Sequence, residues 1–537
     1  MKIPGKLPPT LLAIILLSLA GSLAIYISTS WGPWAYSDST EYIVSARNLL
    51  AGHGLGYSAP SGNFKPLTLH PPFYPLVLSG MGLIGFDLIE AARWLNIFLF
   101  GATIFLSGSL AYILFHSSWL ALSLSSALLT MPTLVDVSSG AMSELLFLFT
   151  ATLGICLLII YLGLRKSYLL LLSAISVGLA FLSRYPGVVV VVTCIIGLLV
   201  ADRISWKQRI RDILKFCLIS ITPTAIWLIW IYLQTRTLGA REYHFAFDIW
   251  SNTIDLRKQL MAIFWSWLPY QERLPSYSYN LSRNILILLI VLIFLFVCLI
   301  VFKKLFFRKS ALVSPLEFTF AFLWFIFIMG NISLLAASFI FTNPLPDLNL
   351  RTLLPVQFGL VFALLALLSS VIKEFHLPNA VGWVCASLIL IIIFPYAKTS
   401  WNIISQYHQY GAGYTNQNWH NSLTLQSLLD LPLNIPLISN QAAALLLLAD
   451  RPAYDFCTLP CNQSGQLRYG DDLVDPIQQI FREEGAALVL FYPYCGVQYE
   501  PWYANTLTQF KSLTQNLTRY FLSCDGAIYF YPSAELY

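Results

Sequence analysis

The sequence predicts a polytopic α-helical membrane protein of about eleven spans, with a surface helix in its first outer loop and a soluble α/β domain at its C-terminus. Three observations predict this class. Of 537 residues, 57% are apolar and only 11% charged, against roughly 25% charged in ordinary soluble domains. The apolar residues gather in runs long enough to cross a bilayer, for which a helix needs about 20 residues. Past residue 397 those runs stop, and short apolar stretches between polar and turn residues replace them. Such a balance excludes a disordered chain and argues against a soluble enzyme. Charge divides the same way: residues 1–397 hold 25 Lys and Arg against 15 Asp and Glu, and residues 398–537 hold 6 against 11. The basic surplus belongs to the membrane segment, where it orients the spans, and is not read as a nucleic-acid surface.

The expected spans lie near residues 10–30, 94–115, 119–135, 143–163, 168–184, 186–201, 213–233, 284–302, 317–341, 352–372 and 379–397. The first is too long for a signal peptide, and no small-residue cleavage site precedes Trp31-Gly32-Pro33-Trp34. Orientation follows from Lys and Arg in the short loops. Lys2 and Lys6, Arg165 and Lys166, the run from Arg203 to Lys215, the run from Lys303 to Lys309, and Lys373 all fall on one side if there are eleven spans. The N-terminus is then cytoplasmic and the tail extracytoplasmic. The domains expected are a membrane domain over 1–397 and an extracytoplasmic α/β domain over 398–537. Two large outer loops, 31–93 and 234–283, interrupt the first.

The tail reads as alternating strands and helices. Ile435–Asn440 predicts a strand, Gln441–Leu448 a helix, Ala486–Tyr492 a buried strand and Ala527–Tyr531 a last one. Cys457, Cys461, Cys495 and Cys524 all lie in this domain. Four cysteines allow three pairings, and an oxidising compartment favours one or two disulfides. A zinc site is the rival, weakened because no His follows His420. In the middle loop Trp250, Trp265, Trp267, Tyr270, Tyr277 and Tyr279 read as interfacial anchors.

The first outer loop concentrates the unusual residues. Tyr42, Ile43, Ala46, Leu49 and Leu50 follow helical spacing, and Gly52 and Gly54 supply a stop. This predicts an amphipathic helix at the membrane surface. Asp38 opens it, with Glu41 three residues on. One reading is an N-cap and capping box. The other is functional: a carboxylate beside the bilayer surface can take a proton from an incoming hydroxyl or amine. Beyond it comes Leu69-His70-Pro71-Pro72-Phe73-Tyr74-Pro75, whose prolines fix the backbone around His70.

An N-terminal span, Asp38 at the head of a surface helix, a Gly-rich exit and His70-Pro71-Pro72-Phe73-Tyr74 together resemble the GT-C superfamily of membrane glycosyltransferases. The branch most similar holds protein O-mannosyltransferases and lipid A aminoarabinose transferases. Met142-Ser143-Glu144-Leu145, Ser183-Arg184-Tyr185-Pro186-Gly187 and Asn349-Leu350-Arg351-Thr352-Leu353-Leu354-Pro355 resemble recurring features of that branch, in the same order. The resemblance covers about residues 8–400. It implies an inverting transfer of a sugar from a polyprenyl phosphate to a lipid, glycan or protein acceptor on the outer membrane face.

That chemistry sets its own demands. A leaving phosphate needs guanidinium groups at the outer boundary, since Arg offers planar bidentate contacts. An acid must activate the acceptor from the other side. Asp38 is the candidate general base. Arg351, Arg184 and Arg241 are candidates for the phosphate, each with snorkelling anchorage as its structural alternative. Glu41, His70, Glu144 and His244 are candidates for the acceptor or for a divalent cation, which stays an open requirement; Asp136 is a weaker one. The rival class is a transporter or flippase of a lipid-linked substrate. Such proteins commonly show internal repeats and broken helices at the midplane; no repeat stands out here. The expected setting is a bacterial inner membrane.

Overall fold

The computed structural model describes residues 8–60, 62–200, 205–236, 242–243, 249–268, 284, 315–343, 348–374, 378–455, 485–492, 514 and 517–530. Arg241, His244, the expected span 284–302 except residue 284, and Cys457, Cys461 and Cys495 lie outside them. Cys524 is disulfide-bonded.

The chain is a polytopic helical membrane protein. Its first part runs α1 (Pro9–Ser28), α2 (Ser37–Leu50), a short hairpin of β1 (Gly56–Ser58) and β2 (Phe64–Pro66), α3 (Phe73–Leu83), α4 (Leu88–Phe115), α5 (Ser118–Leu129), α6 (Pro132–Ser138), α7 (Glu144–Leu164), α8 (Ser167–Ser183), α9 (Gly187–Val200) and α10 (Trp206–Thr235). Then come β3 (Glu242–Tyr243), α11 (Ile249–Ser266), α12 (Pro315–Phe341), β4 (Thr342–Asn343), α13 (Leu354–Glu374) and α14 (Asn379–Tyr410). Among the described residues seven helices are long and apolar enough to cross a membrane, or eight if α5 and α6 form one span. That pair bends by 57° at Met131-Pro132. Pro132 has no N–H to continue α5 but suits the first turn of α6. Helices α8 and α9 cover two further expected spans but are shorter.

Small residues let these helices approach closely, as membrane packing requires. Ser18 and Ser22 on α1 donate to the Gly101 and Ile97 carbonyls of α4, at 2.6 and 3.0 Å. A Cβ on Gly101 would strike Ser22 Oγ at 2.2 Å. Ser173 on α8 donates to the Gly154 carbonyl of α7 at 2.8 Å. The outward faces remain apolar, with Leu12, Leu16, Leu19 and Leu23 on α1 and Val384, Leu388, Ile391 and Phe394 on α14 all exposed. These are the faces that lipid would cover.

After α14 come α15 (Gln417–His420), α16 (Leu423–Leu429), β5 (Leu437–Ser439), α17 (Ala442–Leu448), β6 (Ala453–Asp455), β7 (Ala487–Phe491), β8 (Thr518–Leu522) and β9 (Gly526–Phe530). They build one mixed sheet in the order β6-β5-β7-β9-β8. β5 runs parallel to β6 and β7, and β9 antiparallel to β7 and β8. β7 is buried along its whole length, as its unbroken apolar run requires.

Two local readings change. Asp38 does not cap α2. Tyr36 holds the N-cap position, with its N–H given to Ser39 Oγ at 3.3 Å, and Asp38 sits within the first turn. The side chain is thereby free to face another element. Trp265 is buried and so is not an interfacial anchor, and Trp267 is half-buried against the cluster of Ile328, Leu353 and Val356 from α12 and the start of α13.

Candidate active site

Five segments meet at one end of the bundle. Helix α2 arrives after a bridge between Trp34 and Gly140 and another between Ala35 and Gly413. Its buried face rests on the membrane part: Tyr42 OH and Ser143 Oγ lie 2.9 Å apart, and Ser79 Oγ on α3 donates to the Ala46 carbonyl at 3.2 Å. Its other side is held by the C-terminal domain. Thr40 Oγ1 donates to the Ala443 carbonyl at 3.2 Å, and Arg47 pairs with Asp450 at 2.7 Å. Helix α2 is therefore clamped between protein layers instead of lying free on the bilayer. Gly52 and Gly54, at φ +83° and +101°, end it as expected.

The remaining segments are helix ends. Glu144 opens α7, and Arg184 closes α8 in extended backbone. Arg351 sits in a turn before α13, which Asn349 and Thr352 close through two hydrogen bonds of 2.9 and 3.1 Å. His70 precedes Pro71-Pro72, and its ring lies 4.7 Å from that of Tyr42. Six of the seven candidates that can be placed converge here, namely Asp38, Glu41, His70, Glu144, Arg184 and Arg351; Asp136 is the seventh.

Their contacts form a row. Asp38 Oδ2 accepts from Arg351 Nη2 at 2.9 Å. Arg351 Nε lies 3.4 Å from Glu144 Oε1, and Arg184 Nη1 lies 2.6 Å from that same oxygen. Arg184 also reaches Ser143 Oγ at 3.3 Å. His70 Nε2 stands 3.7 Å from Asp38 and 3.8 Å from Glu41. Glu144 is only 3% exposed, whereas Asp38 and Arg351 keep 23% and 31% of their side-chain surface in the open. A buried carboxylate is tolerated here because two guanidinium groups balance it.

Environment separates the two carboxylates of α2. Burial would raise Asp38, but His70 and then Arg351 outweigh it and hold the group well below the usual carboxylate range. Burial raises Glu41 above its ordinary 4.5, opposed by His70 and aided by the Asp38 charge. Neighbouring acids pushed apart in this way take different roles.

Asp136 serves structure. Its carboxylate accepts from Tyr407 OH at 2.6 Å, and its carbonyl accepts from Trp34 Nε1 at 2.8 Å. Ser143, Met142, Tyr42 and Tyr74 belong to the patterns and motifs read in the sequence but are not among the candidate site residues there, yet they floor the site. Ser39 Oγ reaches Met142 Sδ at 3.3 Å, and the Tyr42 and Tyr74 rings meet at 5.1 Å. The signal available was adjacency, since Met142 and Ser143 precede Glu144 directly. The described donor set suits a cation poorly: Asp38 and Glu144 are engaged by arginines that would repel it. Among the described residues no group of three His, Cys, Asp or Glu is arranged to hold a metal.

Residues 69–230 match a family described as dolichyl-phosphate-mannose-protein mannosyltransferase. That stretch carries His70, Glu144 and Arg184. The crystal structure of ArnT from Cupriavidus metallidurans bound to undecaprenyl phosphate matches with a TM-score of 0.54 at 13% identity, over 97% of this chain and 98% of that one. The crystal structure of the Archaeoglobus fulgidus oligosaccharyltransferase in complex with Zn and sulfate matches with a TM-score of 0.51 at 14% identity, over 89% of this chain and 68% of that one. No curated protein matches the sequence. At these identities the likeness to solved structures is one of fold.

Proposed function

We propose that this chain, which by its fold stands in the GT-C superfamily of membrane glycosyltransferases, moves a sugar from a polyprenyl-phosphate donor to a lipid, glycan or protein acceptor on the outer membrane face. The observation that carries this reading is the row Asp38–Arg351–Glu144–Arg184, assembled from four separate segments. A snorkelling anchor would turn its guanidinium towards the headgroups. Arg351 and Arg184 turn theirs inward, onto carboxylates.

In the proposed reaction the acceptor hydroxyl or amine gives its proton to Asp38. Its oxygen or nitrogen forms a bond to the anomeric carbon from one side. The bond from that carbon to the phosphate oxygen breaks on the other side, and its electron pair leaves with the phosphate. The anomeric configuration inverts. Arg351 and Arg184 stabilise the charge gathering on the phosphate, the task for which preorganised donors matter most. His70 orients Asp38, and Glu144 holds both arginines. No step requires a metal.

The proposed topology is eleven crossings, with α5–α6, α8, α9 and the expected span 284–302, which lies outside the described residues but for 284, added to the seven long helices, the N-terminus cytoplasmic and the C-terminal domain outside. Its support is geometric. The ends of α1 and α14 meet at the site's end, where Trp31 Nε1 donates to the His408 carbonyl at 3.2 Å. Arg165, Lys166 and Lys373 lie at the opposite ends of their helices.

The test is to incubate purified protein with labelled polyprenyl-phosphate sugars and an extract of envelope acceptors. Release of free polyprenyl phosphate, together with a labelled product of inverted configuration, supports the reading. A donor that crosses a vesicle membrane intact would reject it in favour of transport.

A further inference from the structure

In the free protein Asp38 has a guanidinium against it, and a carboxylate so held is a weak proton acceptor. The row of charges shows how that hold can be released. Arg351 is shared: its Nη2 lies 2.9 Å from Asp38, and its Nε lies 3.4 Å from Glu144. Glu144 is buried and gripped by Arg184 at 2.6 Å. Asp38 is the more open partner, 23% exposed against 3% for Glu144, with His70 beside it.

Among the described residues of the row, two arginines already match two carboxylates. A phosphate entering it brings negative charge that needs a guanidinium, so one carboxylate must yield. If Arg351 left Glu144, that 3% exposed carboxylate would keep Arg184 alone, and a buried charge bears the loss of a partner less well than an exposed one. Asp38 can yield, because solvent reaches it and the imidazole of His70 remains 3.7 Å away. We propose that Arg351 is a transferable ligand: it neutralises Asp38 in the empty site, and a bound polyprenyl phosphate takes its outer nitrogens while Nε stays on Glu144. Donor binding thereby frees the base, and it precedes deprotonation of the acceptor. The inference rests on the functional reading above and adds an order of events to it. Glu144 is then a positioning residue, the pivot about which the guanidinium changes partners.

Undecaprenyl phosphate is the probe, and its affinity is measured for wild-type protein, Asp38→Asn, Arg351→Ala and the double variant, with thermal melting as the check on folding. Removing Asp38 leaves Arg351 nothing to abandon, so Asp38→Asn binds the probe about fivefold more tightly, the scale of one partly exposed ion pair. Arg351→Ala binds it roughly tenfold or more weakly. In the Arg351→Ala background, Asp38→Asn brings no further tightening. That double-mutant cycle separates exchange through Arg351 from simple relief of charge repulsion, and Arg351→Lys replaces the alanine variant if the latter does not fold. Tightening that persists without Arg351, or an Asp38→Asn affinity equal to wild type, overturns the inference alone. Wild-type protein that does not bind the probe overturns the functional reading itself, and the inference with it.

Discussion

At Arg351 one guanidinium touches carboxylates from two elements, Asp38 on α2 and Glu144 on α7. Its removal takes away a donor aimed at the leaving phosphate, so Arg351→Ala lowers transfer by about 100-fold, a typical cost for such a group; single-turnover transfer measures it. Glu41 gives a different expectation. Burial raises its carboxyl above 4.5 in the folded protein. Stability from the protonated form is full below that unfolded value and is lost as pH rises through the higher folded one. Glu41→Gln escapes the loss, so it melts higher than wild type at pH 7 and equal to it below 4.5; melts at the two pH values decide. At this scale the sequence identified side chains better than contacts. His70, Glu144 and Arg351 stood out by composition and neighbours, but nothing in 144 and 184 says that they meet. Asp38 also fits a cap signal, and only the start of the helix at Ser37, two residues earlier than an Asp38 cap would place it, separates the two roles.

Helix α2 depends on how its leading strand is seated. A Cβ on Gly140 would lie 2.2 Å from the Trp34 ring, which is buried and tied to the Asp136 carbonyl. Gly140→Ala therefore forces Trp34, and with it the segment entering Asp38, to shift. Overpacking of this kind costs about 1–3 kcal/mol. The variant is expected to melt lower and to lose transfer, and an unchanged melt with full activity would contradict this seating. Most elements were legible because apolar runs and glycine stops are local signals. The bend between α5 and α6 was not read, although Pro132 marks it, because the apolar run continues straight through. The burial of Trp265 and the packing of half-buried Trp267 leave no mark in the sequence, since a tryptophan that packs on protein has the same composition as one that anchors in headgroups.

For the whole molecule, the GT-C resemblance read from a few motifs is borne out by the fold. Those motifs sit at helix ends, where the bundle converges on the site. The clamp of α2 by the C-terminal domain was not legible, because Arg47 and Asp450 are 403 positions apart. Topology is testable at this scale. Single cysteines introduced at exposed Lys166 and exposed Leu433 in a background lacking other reactive thiols are expected to label from opposite sides of sealed membranes, the second from outside; labelling from the same side would break the proposed orientation. The central claim is that Asp38 takes the acceptor's proton opposite a phosphate held by arginines. Its most direct test is the release of free polyprenyl phosphate from labelled donor by Asp38→Asn protein that binds the donor and melts as wild type does. A fall of roughly 100-fold or more is the expected result, and release at the wild-type rate would contradict the account.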